Sequence, residues 1–225
     1  VEAPLAPLTF GAFDIIKVLT GRNDDPATAS RPFDRDRDGF VMAEGGATLV
    51  LEEWEHAERR GGRIYAEVLG YATTNDAHHM TAPRPDGAQA ARAMTDALAD
   101  AELSPNAVDY VNAHASSTVL NDPVECLAIR MALGPRAEHV AVSGTKGLHG
   151  HSLGATGAIE TVICALALER GQLPGTTNLV NVDPACDLDI IPPAGRDGSI
   201  RYLVKNSFGF GGINSCLVMG AADMD

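Results

Sequence analysis

Three short segments of the chain gather residue types suited to holding negative charge on a substrate oxygen. In the first, Val111-Asn112-Ala113-His114-Ala115-Ser116-Ser117-Thr118, an apolar strand runs into a histidine and three hydroxyl residues. Strand ends of an α/β sheet are where ligands meet the protein. The second, Ser143 to Ala155, sets Lys146 and His151 at the start of a helix. Free backbone N–H groups and the positive end of the helix dipole favour an anion there. The third is Asn206-Ser207-Phe208-Gly209-Phe210-Gly211-Gly212, whose glycines let backbone N–H groups approach a substrate oxygen closely. Singly, each has an ordinary reading: a hydrogen-bonded strand-end histidine, close helix packing from Gly150 to Gly157, and a tight turn. Their occurrence together, in this order, favours the chemical reading.

The elements that must position them alternate between strand and helix. Apolar positions Leu8, Phe13, Ile16 and Leu19 predict a helix over 5–20. Asp34 to Gly39 reads as a polar, solvated turn, and Ala47 to Leu51 as a short strand leading into a charged helix that Gly61-Gly62 terminates. Strands are expected at 64–71, 108–111, 139–142, 201–204 and 213–219, and helices at 88–101, 123–133 and 153–168. This alternation indicates an α/β layer fold, with Gly61-Gly62 as the best candidate for a junction between two subdomains.

Composition narrows the function classes. With 17 Lys+Arg against 30 Asp+Glu, the 225 residues carry a formal charge of −13. That balance argues against wholesale phosphate binding to nucleic acid and against a polybasic membrane surface. A hydrophobic content of 45% supports a substantial core. No stretch has the apolar length of a membrane span, and Val1-Glu2-Ala3-Pro4 has neither the basic nor the apolar region of a signal peptide. A start at Val1 reads as a beginning inside a longer protein. Cys126, Cys164, Cys186 and Cys216 form no CxxC pair, so reduced thiols and a cytoplasmic location are expected, with Cys164 and Cys216 buried and inert. No metal site is expected. Asp34-Arg35-Asp36-Arg37-Asp38-Gly39 begins like a calcium loop but has Gly45 where the bidentate Glu belongs. Adjacent His78-His79 cannot converge on one ion without further ligands. The glycine loop lacks GxGxxG spacing and leads into a strand.

On the three motifs, and on Arg22-Asn23-Asp24, Ala29 to Asp34, Arg37 to Phe40 and Asp187-Leu188-Asp189, the sequence resembles the β-ketoacyl synthases, condensing enzymes of the thiolase superfamily. The match is to the C-terminal half of an elongating enzyme that works on acyl-carrier proteins. The resemblance implies a thiolase-like layered α-β-α-β-α fold, with 1–60 the end of the N-terminal half and 61–225 the C-terminal half. It implies decarboxylative Claisen condensation of a malonyl-carrier protein with an enzyme-bound acyl chain, in fatty-acid or type II polyketide or polyene elongation.

By family position, His114 and His151 would be the catalytic histidines, Lys146 and Glu160 the charge-balancing pair, and Phe210 an oxyanion N–H and gate. Ser116, Thr118, Phe208, Gly209 and Gly211 would hold substrate and its phosphopantetheine arm, and Lys17 and Arg22 would meet the carrier protein. No resident cofactor is implied, because the phosphopantetheine arrives on the carrier protein. The nucleophilic Cys of the family would precede Val1, so the missing N-terminal half, a homodimer mate or a chain-length factor would be partners. The alternative is a non-catalytic, chain-length-factor-like partner or an inactive structural half, against which the retained His114, Lys146 and His151 argue. Departures from the family pattern are Ala115 for Gly, Ser116 for Thr, Gly147 for Ser and Ile213 for Thr. Ala115 predicts a residue strained at positive φ.

Overall fold

The computed structural model describes residues 1–222. From the N-terminus come helices α1 (Pro7–Ile15) and α2 (Trp54–Arg59), strand β1 (Ala66–Asn75), helix α3 (Ala88–Asp100), strand β2 (Tyr110–Asn112) and helix α4 (Asn121–Leu133). Strand β3 (Ala141–Ser143), the one-turn α5 (Lys146–His149), α6 (Thr156–Arg170), β4 (Gln172–Leu173), β5 (Asp189–Ile190), β6 (Arg196–Asp197), β7 (Tyr202–Gly209) and β8 (Ile213–Ala221) follow.

Six strands form one mixed sheet in the order β1-β8-β7-β2-β3-β5, and β4 pairs with β6 apart from it. β8 runs antiparallel to both its neighbours, β1 and β7, whereas β7, β2, β3 and β5 run parallel. Strands covered on both faces are apolar throughout, and alternation sorts their side chains into two cores. Val204, Cys216 and Val218 face α3 and α4, where Ala93, Met94, Ala97 and Ile129 are buried. Leu203, Met219 and Tyr110 face α6 and its Cys164 and Leu168. The result is an α/β/α sandwich of the layered kind expected. Alanines on α3 and Gly70 on β1 allow a close approach: a Cβ on Gly70 would lie 2.4 Å from the Ala97 carbonyl.

Gly61-Gly62 closes α2 as expected. Gly61, at φ 66°, donates to the Glu58 carbonyl, and Gly62 donates to that of Ala57, the paired bonds of a Schellman cap.

Three expectations fail. The first helix stops at Ile15, and Lys17 lies beyond it at φ 56°. There the chain turns to bridge Phe40, with Phe40 N–H donating to the Val18 carbonyl and Thr20 N–H to that of Phe40. Ala47 to Leu51 forms no strand, because no neighbouring strand among the described residues pairs with its backbone, and Val50 and Leu51 are 79% and 76% exposed. Asp34 to Gly39 is only partly solvated: Arg35, Asp36 and Asp38 face solvent, but Asp34 and Arg37 are buried. Arg37 binds Asp183 at 2.6 Å and the carbonyls of Asp34, Thr118 and Val119, while Asp34 accepts from the Val180 and Asn181 N–H groups. Charges and backbone groups satisfy one another there, so the Asp34 and Arg37 side chains pack inward.

Candidate active site

Because β7, β2 and β3 run parallel side by side, their C-terminal ends open on one edge of the sheet. His114 follows β2, Lys146 follows β3, and Phe208 to Phe210 close β7, so the three motifs converge there.

His114 is set by its backbone. The buried Glu125 of α4 accepts from the N–H of His114 through Oε1 and from that of Ala115 through Oε2, both at 2.8 Å. Asn206 Nδ2 adds a third donor at 3.1 Å. Burial pushes the Glu125 carboxyl up, and these hydrogen bonds oppose the rise. Ala115 and Ser117 sit at φ 40° and 68°. Left-handed backbone costs a non-glycine residue about 1 kcal/mol or more, and the Glu125 clamp holds the turn against that strain. Positive φ at Ala115 is the strain that its place in the motif predicted.

His151 is oriented through its ring. The Leu153 backbone N–H donates to Nδ1 at 3.2 Å, with the Thr156 hydroxyl also 3.2 Å away. A nitrogen that accepts a backbone N–H carries no proton, so neutral His151 is the Nε2–H tautomer. Leu153, at φ 44°, is a third strained residue in the site. Parallel bridging to Met42 fixes the backbone, with His151 N–H donating to the Val41 carbonyl at 2.8 Å. The His114 and His151 rings stand 5.3 Å apart, edge to face. Burial first, then the Lys146 ammonium, holds both imidazoles well below their usual range. Both are therefore neutral at neutral pH.

Behind the histidines lies a buried charge cluster. Lys146 Nζ donates to Glu160 Oε1 at 2.5 Å and to the His114 carbonyl. Lys205 Nζ reaches Glu160 Oε2 at 3.4 Å and donates to the Ser207 hydroxyl. All three charged side chains are essentially inaccessible. Burial draws the Lys146 ammonium down, and Glu160 opposes that shift.

In front lies a cavity of about 520 Å³. His114, His151, Ser116, Thr118, Phe208 and Phe210 line it, with Gly209 and Lys17 also at its wall. Ser116 and Thr118 hydroxyls are 2.9 Å apart. Phe210 stacks on Phe13 with centroids 5.9 Å apart, and Phe13 meets Phe40 edge-on at 5.7 Å. Facing donors and neutral imidazoles over an apolar cavity can hold an acyl group and stabilise an enolate or alkoxide oxygen.

Two expected site residues stand apart from the cavity. Gly211 turns away, donating its N–H to the Met80 carbonyl at 2.8 Å. The Arg22 guanidinium donates to the Asp36 carbonyl at 2.8 Å. Lys146 and Glu160 lie buried behind the wall. The four cysteines are buried as well, and burial raises the Cys164 and Cys216 thiols far above their usual range, so neither is a nucleophile. No cluster of metal-ligating residues occurs among the described residues. Glu125 and Lys205 escape the motif reading, and Asn206 is given no role by it. Asn206 lies inside a quoted motif, and extending the 201–204 strand by one residue would have placed Lys205 on the buried face of Leu203.

Comparison with known proteins agrees with this geometry. The β-ketoacyl synthase C-terminal domain matches residues 65–180, and the N-terminal domain of the same family matches 1–57. The 3-oxoacyl-[acyl-carrier-protein] synthase 2 of Synechocystis sp. is 51% identical over 216 residues, covering 96% of this chain and 52% of that protein. A chain of a solved complex between a type II PKS acyl-carrier protein and its ketosynthase bound to the hexaketide superimposes with a TM-score of 0.96 at 45% identity, over 99% of this chain and 55% of the other. A chain of the ishigamide ketosynthase/chain length factor gives 0.90 at 36% identity, over 98% and 52%. The chain spans about half the length of the curated relatives it matches. With both family domains matched in order and their motifs gathered at one sheet edge, the chain belongs to the β-ketoacyl synthase family.

Proposed function

We propose that this chain is the histidine-bearing half of a condensing enzyme that extends acyl thioesters with malonyl-acyl-carrier protein, in fatty-acid or type II polyketide elongation. The observation that carries the reading is the pair of neutral imidazoles, 5.3 Å apart, on the wall of the cavity. A malonyl thioester seated with its carbonyl oxygen against His114 and the His151 Nε2–H loses CO₂. The electron pair of the broken C–C bond moves into the thioester carbonyl and forms an enolate. The enolate carbon attacks the acyl thioester held on a cysteine, a C–C bond forms, and the C–S bond breaks with the thiolate leaving. Donors aimed at both oxyanions lower these barriers; the Phe210 N–H serves the second. Ser116, Thr118, Phe208 and Gly209 hold the pantetheine arm. Lys146 and Glu160 balance the charge of the site.

The nucleophilic cysteine belongs to the other half of the synthase. Support comes from the four buried cysteines and from relatives twice as long. The exposed Val50 and Leu51 await a neighbouring strand from that half. Partners are an acyl-carrier protein, the N-terminal half, and a second ketosynthase or a chain-length factor in a dimer, all cytoplasmic. Lys17, exposed at the cavity rim and only loosely paired with Asp14 at 3.8 Å, is the docking cation; Arg60 and Arg63 lie outside the cavity lining and hold closer pairs with Glu52 and Glu169. The reaction needs no resident cofactor. The test is decarboxylation of malonyl-carrier protein by the complete synthase. His151→Ala lowers that rate at least a hundredfold, while acylation of the cysteine, followed by intact mass, persists. Wild-type decarboxylation in the variant would refute the role.

A further inference from the structure

A lysine in the middle of a sheet is an expensive residue. Lys205 lies on β7, in register with Asn112 on β2 and Leu217 on β8, and its side chain is 4% exposed. A buried ammonium costs stability that an aliphatic residue at the same place would not. Yet this one is built in. Its Nζ stands 3.4 Å from Glu160 Oε2, an ion-pair contact without a hydrogen bond, donates to the Ser207 hydroxyl, and lies beside Gly157 of α6. Glu160 already has a cation on its other oxygen, Lys146 at 2.5 Å. One carboxylate therefore serves two buried ammonium groups.

We infer that Lys205 is a positioning residue of this site: it stands in ion-pair contact with the second oxygen of Glu160 and leaves the trio Lys146, Glu160 and Lys205 one positive charge in excess beside His114 and His151. The inference rests on the condensing-enzyme reading. Surplus positive charge behind the imidazoles favours the enolate that forms in front of them. It also opposes protonation of the rings, keeping them neutral donors at lower pH. Lys146, Glu160 and the thiols of Cys164 and Cys216 face Lys205 from the neighbouring elements. Glu125 backs the His114 backbone, and His149 sits near His151. None of the neighbours supplies a second negative charge to Lys205.

The experiment follows malonyl-carrier protein decarboxylation by the complete synthase from about pH 5 to pH 8, with Lys205→Met, Lys205→Gln and Lys205→Arg. Removing the charge makes the imidazoles easier to protonate. The Met and Gln variants then lose kcat about tenfold with KM nearly unchanged, and their acidic limb moves up by about one pH unit. Arg keeps the limb where wild type has it. A purely structural lysine would lower stability and leave the limb in place, and neutral variants with a wild-type limb overturn the inference. So does a result in which only the Arg variant folds, because the charge then serves folding. A wild-type synthase that does not decarboxylate the substrate overturns the underlying functional reading instead.

Discussion

Glu125 grips His114 by its backbone and not by its ring: Oε1 takes the His114 N–H and Oε2 the adjacent Ala115 N–H, both at 2.8 Å. The turn that follows β2 is thus held by a carboxylate from the next helix, α4. Glu125→Ala takes the acceptor from two buried backbone N–H groups and from the Asn206 amide and should cost about 3–5 kcal/mol, with Glu125→Gln, which keeps one acceptor, costing about half. Urea denaturation measures both, and near-equal losses would show that the clamp is not bidentate.

The shared carboxylate predicts an asymmetry. Glu160→Gln leaves two buried ammonium groups, Lys146 and Lys205, without their shared counter-charge and should destabilise by about 3–5 kcal/mol. Lys146→Met leaves Glu160 its second partner at 3.4 Å, and the loss should be smaller by about 2 kcal/mol. Thermal unfolding of the two variants decides the order.

Acid should weaken the fold through the histidines. His114 and His151 titrate well below their usual range when folded. The unfolded chain therefore binds protons first, and stability present above about pH 6.5 is lost as pH falls toward the folded values. Each ring contributes up to about 1.4 kcal/mol per pH unit in that window. Asp122 and Glu125, whose carboxyls are pushed up by burial, act with the opposite sign, so the difference between wild type and a His114→Gln, His151→Gln double variant isolates the imidazoles. Equal slopes for the two proteins would contradict this account.

Arg37 ties the segment before the sheet to the loop that carries Thr118. Its guanidinium serves Asp183 and three carbonyls at once, a geometry that an ammonium cannot match. Arg37→Lys should cost about 3 kcal/mol and raise amide exchange over residues 117–121. Unchanged exchange there would mean that the loop is held by other contacts.

Much of the site was legible because its motifs are local. His114, Lys146, His151 and Phe208 sit in short strings whose residue types make sense together, and parallel strands must deliver them to one edge. What escaped legibility is long-range. Glu125 and Lys205 act through partners 11 and 45 residues away, and neither belongs to a string with chemistry of its own. Asp34 to Gly39 read as solvated because charge patterning registers charges without their counter-charges, and Asp183 and Asp122 lie far along the chain. Ala47 to Leu51 has strand composition, but a strand is a property of a pair, and no mate is present among the described residues.

The Leu153 N–H on His151 Nδ1 makes this wall of the cavity one-sided. With one ring nitrogen occupied and the other bearing its hydrogen, the imidazole has no lone pair to offer a visitor. It cannot remove a proton from a thiol, an alcohol or an amine. Molecules that present an acceptor, such as thioester carbonyls, carboxamides or sulfoxides, are admitted there, and those that present a donor meet hydrogen against hydrogen. Inhibitor chemistry for this pocket therefore begins with acceptors.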